Sequence, residues 1–343
     1  MELGERKLKV LAAIVEAYVA TGEPVGSKAV CNALDFPVSS ATIRNEMAGL
    51  VELGLLAQPH TSAGRIPSAL GYRLYINRLM HRRPLSDEEK RYIDGTLASI
   101  TGGADDLLEE ASQMLAGMTR FIAVSTAPTD EGAAVRRLQF VQTGRRSAIV
   151  VLTSSTGNVK SRQFRCDYDI TPEVMNVFHV ALNKKFMGVP LAEITPALVQ
   201  SMAASFGELT MLMPAVLTAV LETAQDMLQT DIRLEGQTNL LFMPEFELYS
   251  VRQILDFLNR RGEIAKLLNR QEGAVKVLIG AESGQPELID SSLVVARYRL
   301  GGRTASAIGV IGPTRMDYAK MISSLEYFAQ SMGKLLSEIL EEE

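Results

Sequence analysis

The sequence predicts a multi-domain α+β protein, and three observations support this fold class. The chain has 343 residues, more than a typical single core accommodates, so two or three domains are expected. Its first eighty residues alternate amphipathic helices with turns and end in a hairpin pattern. Further along, a helical stretch interrupts a β-rich region, which indicates an insertion. Hydrophobic residues make up 47% and charged residues 22% of the chain, as in globular domains.

Three helices are predicted in the first 54 residues, over 5–20, 27–34 and 39–53. Gly22 and Pro24 end the first helix, and Ser27 is the predicted N-cap of the second. The third helix starts at Ser39/Ser40 and stops at Gly54. Its apolar side chains recur at helical spacing and predict the buried face: Ile43, Met47, Leu50 and Val51.

A hairpin and a fourth helix follow. Residues 55–57 and 65–67 are predicted strands, and the turn between them contains Gly64, which we expect to give a tight turn. The fourth helix covers about 68–81. Three helices followed by a hairpin form the order of a winged helix-turn-helix, so we predict this fold for residues 1–83, called the head below.

A winged helix binds DNA by presenting its third helix to the major groove, which is ~12 Å wide. With Ile43 at the centre of the buried face, Ala41, Asn45 and Ala48 point away from the core. Asn45 can pair with adenine and Arg44 beside it with guanine. The predicted DNA-contacting residues are Lys28, Ser39, Ser40, Thr42, Arg44, Asn45, His60, Thr61, Ser62 and Arg65, of which the last four lie in the hairpin.

Charge is distributed unevenly along the chain. The net charge is −5, but the head contains ten Lys/Arg and seven Asp/Glu, a net of +3, which leaves −8 for the remaining residues. A mildly basic head on an acidic body is compatible with a DNA-binding module attached to another part of the protein. Winged helices also mediate protein contacts, so the charge alone leaves both functions open.

The remaining chain alternates helical and strand-rich segments. Two helices are predicted over 86–119, then strands over 121–126, 135–142, 147–153 and 159–165. Helices follow over 171–187, 196–213, 214–228 and 248–270, then strands over 275–279, 293–299 and 305–311, and a last helix over 315–340. Six methionines lie in 171–230, and they predict either an adaptable interface or a core filler.

The sequence gives no reason to expect an enzyme, a metal site or a cofactor. The segment Gly280-Ala281-Glu282-Ser283-Gly284 does not have the GxSxG spacing of a nucleophile. The three histidines have no ligand-like spacing, and we expect Cys31 and Cys166 to fill core gaps rather than form a disulfide. No apolar run reaches ~18 residues, and the charged N-terminus is unlike a secretory signal, so we expect a cytoplasmic protein without membrane contact.

Several motifs resemble the HrcA family of heat-inducible transcription repressors. They include 24–28 (PVGSK), 39–47 (SSATIRNEM), 53–56 (LGLL), 59–67 (PHTSAGRIP) and 71–73 (GYR) in the head. The segments 279–282 (IGAE) and 312–318 (GPTRMDY) are similar to the family's C-terminal signatures. The resemblance extends over the whole chain, whereas about 168–235 carries no motif that matches in detail.

The resemblance implies an architecture and a mechanism. It implies a winged helix at 1–83, a GAF-like domain with an antiparallel sheet at 86–167 and 236–343, and an inserted dimerisation domain at 168–235; the helical linker 86–119 belongs to the GAF-like part. Family members are homodimers that bind an inverted-repeat operator in double-stranded DNA and repress chaperone operons. They depend on the GroE chaperonin, and heat stress releases repression.

A second function remains open at this stage. GAF-like domains often bind small molecules, so a ligand-responsive winged-helix regulator is the alternative to a heat-responsive repressor. Residues 309–313 (GVIGP), which we expect at the start of the last helix, are a candidate anion site of such a regulator. Gly-rich turns of this kind also occur without any ligand.

Overall fold

The computed structural model describes residues 3–60, 63–100, 102–126, 132–155, 158–228, 231–269, 273–300 and 303–342. The chain forms two compact units. The first unit joins residues 1–127 to 232–342, and the second contains 128–231.

The head has the predicted order of three helices and a hairpin. Its elements are α1 (Glu5–Thr21), α2 (Ser27–Ala33), α3 (Ser40–Glu52), β1 (Leu56–Ala57) and β2 (Ile66–Pro67). The two strands are antiparallel, and Leu56 pairs with Pro67. The fully buried core of the helices includes Val10, Leu11, Ile14, Val15, Val30, Ile43 and Leu50. The predicted cap of α2 was wrong by one residue, because Gly26 is the N-cap and Ser27 is buried in the first turn.

The fourth helix of the head packs directly on the hairpin. It comprises α4 (Ala69–Leu74) and continues as a π-helical turn over Tyr75–Leu79. A Cβ on Gly71 would lie 2.1 Å from the carbonyl oxygen of Leu55, so only glycine allows this approach. The Tyr75 hydroxyl donates to Glu16 Oε1 at 3.2 Å and connects this helix to α1.

A five-stranded antiparallel sheet organises the remainder of the first unit. Its strand order is β7 (Ile232–Glu235), β3 (Ile122–Thr126), β10 (Arg303–Pro313), β9 (Ser291–Leu300) and β8 (Val275–Ile279). The helices of this part are α5 (Asp87–Ala98), α6 (Ala104–Thr119), α11 (Leu248–Leu258), α12 (Arg261–Asn269) and α13 (Tyr318–Glu342). The sequence pattern predicts every strand of this sheet except β7, which has only four residues.

Helices cover both faces of this sheet. Alternate strand residues such as Val294 and Val310 pack with α5, α6 and α13, and the core of the head is continuous with this layer. The intervening residues, among them Val295 and Ile311, pack with α11 and α12. Because neighbouring residues of a strand point to opposite faces, both sides of the sheet are apolar.

The second unit is a three-stranded antiparallel sheet covered by helices. The strands β4 (Val135–Gly144), β5 (Ser147–Ser154) and β6 (Val159–Arg165) are adjacent in this order. The helices are α7 (Pro172–Val177), α8 (Asn183–Phe186), α9 (Pro196–Ala204) and α10 (Pro214–Leu228), with a π-helical turn over Phe178–Leu182 that joins α7 to α8. Arg162 on β6 forms ion pairs with Glu222 and Asp226 on α10.

The boundaries of the units differ from the predicted insertion at 168–235. The strands β4, β5 and β6 share a core with α7 and α10 that includes Phe140, Val150, Phe178 and Leu217. The compact insertion therefore starts at 128 rather than 168, and β7 returns to the first unit. The sequence pattern did not reveal this, because strands of either sheet have the same alternation.

In the described part of the chain, none of the helices combines the length and apolar character needed to span a bilayer.

Candidate nucleic-acid interface

The helix α3 has one buried face and one small, polar face. Ile43, Met47 and Leu50 are buried, whereas the opposite side exposes Ala41, Arg44, Asn45 and Ala48. Thr42 is half-buried at the edge. The two alanines leave space for close approach of a partner, and the guanidinium and amide groups can each form two parallel hydrogen bonds.

The hydroxyl groups at the start of α3 have partners inside the head. Ser39 is the N-cap, and its Oγ accepts a hydrogen bond from the backbone N–H of Thr42 at 3.1 Å. The same Oγ lies 2.8 Å from the Thr42 hydroxyl, and the Ser40 hydroxyl lies 2.7 Å from that of Ser27. Ser39 and Ser40 therefore stabilise the start of the helix, whatever they contact beyond it.

Ser27 is a site residue that sequence analysis missed. Its Oγ accepts a hydrogen bond from Nε of Arg44 at 3.4 Å in addition to its contact with Ser40. The contact is made by Nε, and Arg44 as a whole is exposed. Ser27 thus orients Arg44 from the neighbouring helix, and no spacing rule in a single sequence indicates such a pair.

An ion-pair cluster connects α3 to α1. Lys7 Nζ lies 2.8 Å from a carboxylate oxygen of Glu46, and Arg6 lies 3.7 Å from the other. Glu46 and Lys7 are largely shielded from solvent. Lys9 pairs with Asp35 and Glu5, so three of the head's ten basic residues, Arg6, Lys7 and Lys9, form ion pairs within it. Lys28 and Arg44 are exposed.

The other predicted DNA-contacting residues lie on α2 and in the hairpin. Lys28 on α2 is exposed, and so is His60 in the hairpin. Thr61 and Ser62 lie outside the described residues. The guanidinium of half-buried Arg65 donates to the carbonyl oxygens of Ala63 and Gly64 at 3.3 and 3.4 Å.

The base of the hairpin is joined to the chain before α2. The backbone N–H and carbonyl of Arg65 both pair with Val25, each at 2.9 Å. A Cβ on Gly64 would lie 2.5 Å from the carbonyl atoms of Val25. We expected glycine at position 64 because of a tight turn. Gly64 is not in the left-handed region, so the turn does not require glycine. Glycine is needed here because the backbone of Val25 lies too close for a side chain.

Comparison with known proteins identifies relatives over the full chain. The family description "HrcA protein C terminal domain" matches residues 105–322. A heat-inducible transcription repressor HrcA of Carboxydothermus hydrogenoformans is 36% identical and covers 98% of each chain. Proteins of the same name are 31% identical in Thermoanaerobacter pseudethanolicus, over 100% of each chain, and 33% identical in Geobacter sulfurreducens, over 98% of each.

A solved structure has the same fold. The crystal structure of a protein described as hypothetical aligns with a TM-score of 0.62 at 22% identity. The alignment covers 98% of this chain and 100% of the other. The arrangement of helices and antiparallel sheets described above is therefore found in an experimental structure as well.

Proposed function

The chain belongs to the HrcA family of heat-inducible transcription repressors, and we propose that its head binds operator DNA as a winged helix with α3 in the major groove. The chain is a negative regulator of heat-shock genes, as the names of its relatives indicate. The observation that carries the DNA-binding proposal is the outer face of α3, which combines two alanines with exposed Arg44 and Asn45.

The proposed contacts divide into two groups. Arg44, Asn45 and Thr42 read base edges, because they lie on or beside the exposed face of α3. Lys28, His60, Thr61, Ser62, Ser39, Ser40 and Arg65 contact the phosphate backbone or position those that do. Of these residues, exposed Lys28 is the best one to test for phosphate contact. Substitution of Arg65 or of the two serines would also remove contacts that stabilise the head.

Binding titrations with operator and random duplexes test this proposal. Arg44→Ala and Asn45→Ala should each lose roughly 1–3 kcal/mol of operator binding and relax specificity. Lys28→Ala should weaken binding to both duplexes and reduce the salt slope by about one. Exposed Arg78 provides the matched control, because Arg78→Ala removes the same charge from the head outside α3. Unchanged affinity in both α3 variants would refute the assigned face.

We propose that two chains form a homodimer on an inverted-repeat operator, because two-fold DNA symmetry requires two heads. Two sets of exposed apolar side chains are candidates for the interface. In the second unit, Met211 is 85% and Met187 60% exposed, whereas Met213 is buried, so some methionines lie in the core and others at the surface. In the first unit, Phe242 is 83% and Leu248 80% exposed.

Sedimentation of Met211→Asp and Phe242→Asp variants distinguishes the two surfaces. The charge should dissociate the dimer in the variant whose surface is the interface, since a buried unpaired carboxylate is costly. A wild-type chain that sediments as a monomer at micromolar concentration would contradict the dimer.

The remaining parts of the mechanism are also proposals. We infer a GAF-like domain for the five-stranded sheet with its two helical layers, and a cytoplasmic repressor that needs the GroE chaperonin to regain its DNA-binding form after heat. Full operator affinity after a heat cycle without chaperonin would contradict this dependence.

The ligand-responsive alternative gains no support from its predicted site. Residues 309–311 lie in β10, within the predicted strand 305–311, and residues 312 and 313 extend the same strand instead of forming a turn. The strand β10 ends at Pro313, and α13 begins at Tyr318. Gly309 pairs with Val124 on one side and Val295 on the other. Paired strands flank residues 309–311 on both sides, and Gly312 and Pro313 pair with β9. Residues 309–313 therefore do not form the Gly-rich turn at a helix start on which the candidate anion site depends.

A further inference from the structure

The head is attached to the rest of the first unit by residues of three sequence motifs that are far apart in the chain. The motif 71–73 of the head meets 279–282 and 312–318, two segments that the head does not contain. The sequence alone does not show that these three motifs contact each other.

An aromatic pair forms the buried part of this attachment. The rings of Tyr72 and Tyr318 pack edge to face with centroids 5.6 Å apart, and both side chains are almost fully buried. The Tyr318 hydroxyl donates to the carbonyl of Thr314 at 2.7 Å and lies 2.6 Å from the Ser292 hydroxyl. Tyr318 is therefore fixed to the sheet on its far side, and edge-to-face packing restricts the orientation of Tyr72.

Arg73 forms the second contact. Its Nε donates to Glu282 Oε1 at 2.8 Å, and Nη2 donates to the carbonyl of Val277 at 2.7 Å and to Glu282 Oε2. Although partial burial raises the pKa of Glu282, hydrogen bonds from Arg73 and the Ile279 backbone bring it below its ordinary value. A two-pronged guanidinium–carboxylate pair fixes both distance and angle, so it positions as well as attracts.

Arg315 forms the third contact, from the opposite direction. Its Nη1 donates to the carbonyl of Val19 in the last turn of α1 at 2.9 Å, and Nε donates to Glu245 at 2.6 Å. The guanidinium lies over Gly22, the residue that caps α1. A cation at the carboxyl end of a helix is favourable, because the last carbonyls there have no partner within the helix.

The connection between the head and α5 adds weaker contacts. Arg82 pairs with Glu326 at 2.8 Å and Arg83 with Asp317 at 2.9 Å, but both arginines are well exposed. Exposed ion pairs contribute little. The shielded polar contacts of the head are therefore those of Arg73 and Arg315, and they add to the apolar packing around Tyr72.

We propose that Tyr72, Arg73 and Arg315 are positioning residues that hold the head rigidly and thereby set the half-site spacing that the repressor accepts. This inference rests on the proposed function, a dimer on an inverted repeat. Two rigid heads match one spacing only, since B-DNA turns once in about 10.5 base pairs. Five inserted base pairs turn one half-site to the opposite side of the duplex. Loosely attached heads would tolerate that insertion and would lose affinity on the natural spacing.

Three duplexes test the inference with the full-length protein. The first carries the inverted repeat that wild-type protein selects from a randomised library, the second has five base pairs inserted at its centre, and the third keeps one half-site. Wild-type protein should prefer the first over the second by at least about a hundredfold. The variant R73A/R315A should reduce this preference to within roughly threefold, with half-site affinity unchanged within twofold.

Two further variants keep the result interpretable. R91A/R252A removes the same charge from exposed positions of the first unit and should keep the wild-type preference. E245Q/E282Q removes the partner charges and leaves the head sequence intact, so it should repeat the loss of discrimination even if R73A/R315A does not fold.

The outcomes separate this inference from the function on which it rests. Wild-type spacing discrimination that persists in E245Q/E282Q, or in a folded R73A/R315A protein, would overturn the inference alone. Wild-type protein that selects no sequence, or binds the half-site and the inverted repeat equally, would overturn the proposed function and this inference with it.

Discussion

The hydroxyl groups of Tyr72 and Tyr318 differ in their surroundings although their rings pack together. The Tyr318 hydroxyl has two oxygen partners. The Tyr72 hydroxyl is buried and has no hydrogen-bond partner among the described residues. Burial strongly raises the pKa of Tyr72, so the group is neutral at any relevant pH. An unpaired buried hydroxyl is costly, which separates the two tyrosines energetically.

We therefore expect opposite effects from the same substitution at the two positions. Tyr318→Phe should lower the free energy of unfolding by about 1–2 kcal/mol, since it leaves the Ser292 hydroxyl without its partner. Tyr72→Phe should be neutral or stabilising, because it removes only the unpaired oxygen. Urea unfolding of the two variants measures the difference. Equal destabilisation by both would contradict the hydrogen-bond assignment at Tyr72.

In the head, it was easier to predict whether a residue of α3 is buried or exposed than to predict which residues contact each other. The buried and exposed faces of α3 follow from a 3.6-residue repeat that can be read from 13 residues. Ser27 and Gly64 have roles that depend on residues from another segment of the head. Their contacts with Arg44 and Val25 could not be inferred from any local sequence pattern.

At the scale of elements, the start of α5 is stabilised both by a local capping box and by an ion pair with another helix. Ser86 and Glu89 form a reciprocal capping box, which the sequence Ser86-Asp87-Glu88-Glu89 predicts. Glu89 also pairs with Lys320 on α13 at 2.7 Å. The hydrogen bonds from Lys320 and from the Ser86 backbone lower the pKa of Glu89 from 4.5 to about 2.

This shift predicts a pH-dependent contribution to stability. Because the pKa is lower in the folded state, the stabilisation is complete above about pH 4.5 and is lost as the pH falls towards 2. Glu89→Gln should lower the unfolding midpoint at pH 6, and the difference from wild type should shrink on acidification. Thermal melts between pH 3 and 6 measure it, with exposed Glu88→Gln as the control. A difference that stays constant with pH would refute the assignment.

At the scale of the whole molecule, the two units have separate cores. The core of the second unit contains Leu217 on α10, and among the described residues it includes none from the five-stranded sheet. The core that includes the head, α5, α6 and α13 contains Leu325. Both leucines are essentially inaccessible to solvent. Each unit therefore has its own source of hydrophobic stabilisation.

Leu217→Ala and Leu325→Ala should destabilise different parts of the chain. Each truncation should cost about 2–5 kcal/mol in its own unit. Hydrogen exchange should accelerate in β4, β5 and β6 for Leu217→Ala, and in β9 and β10 for Leu325→Ala. Uniform acceleration across both sheets in either variant would show that the units unfold together.

The sequence by itself determined the order of nearly all helices and strands, the outward face of α3 and the family motifs, because these depend on local periodicity, caps and residue identity. Only the tertiary structure decided which strands share a core, so the insertion starts at 128. It also placed residues 312 and 313, which were expected at the start of the last helix, at the end of β10. The contacts of Arg73 with Glu282 and of Arg315 with Val19 join residues more than 200 positions apart. Such pairs form because helices and sheets pack against each other in three dimensions. Local patterns in a single sequence do not show which distant residues this packing brings together.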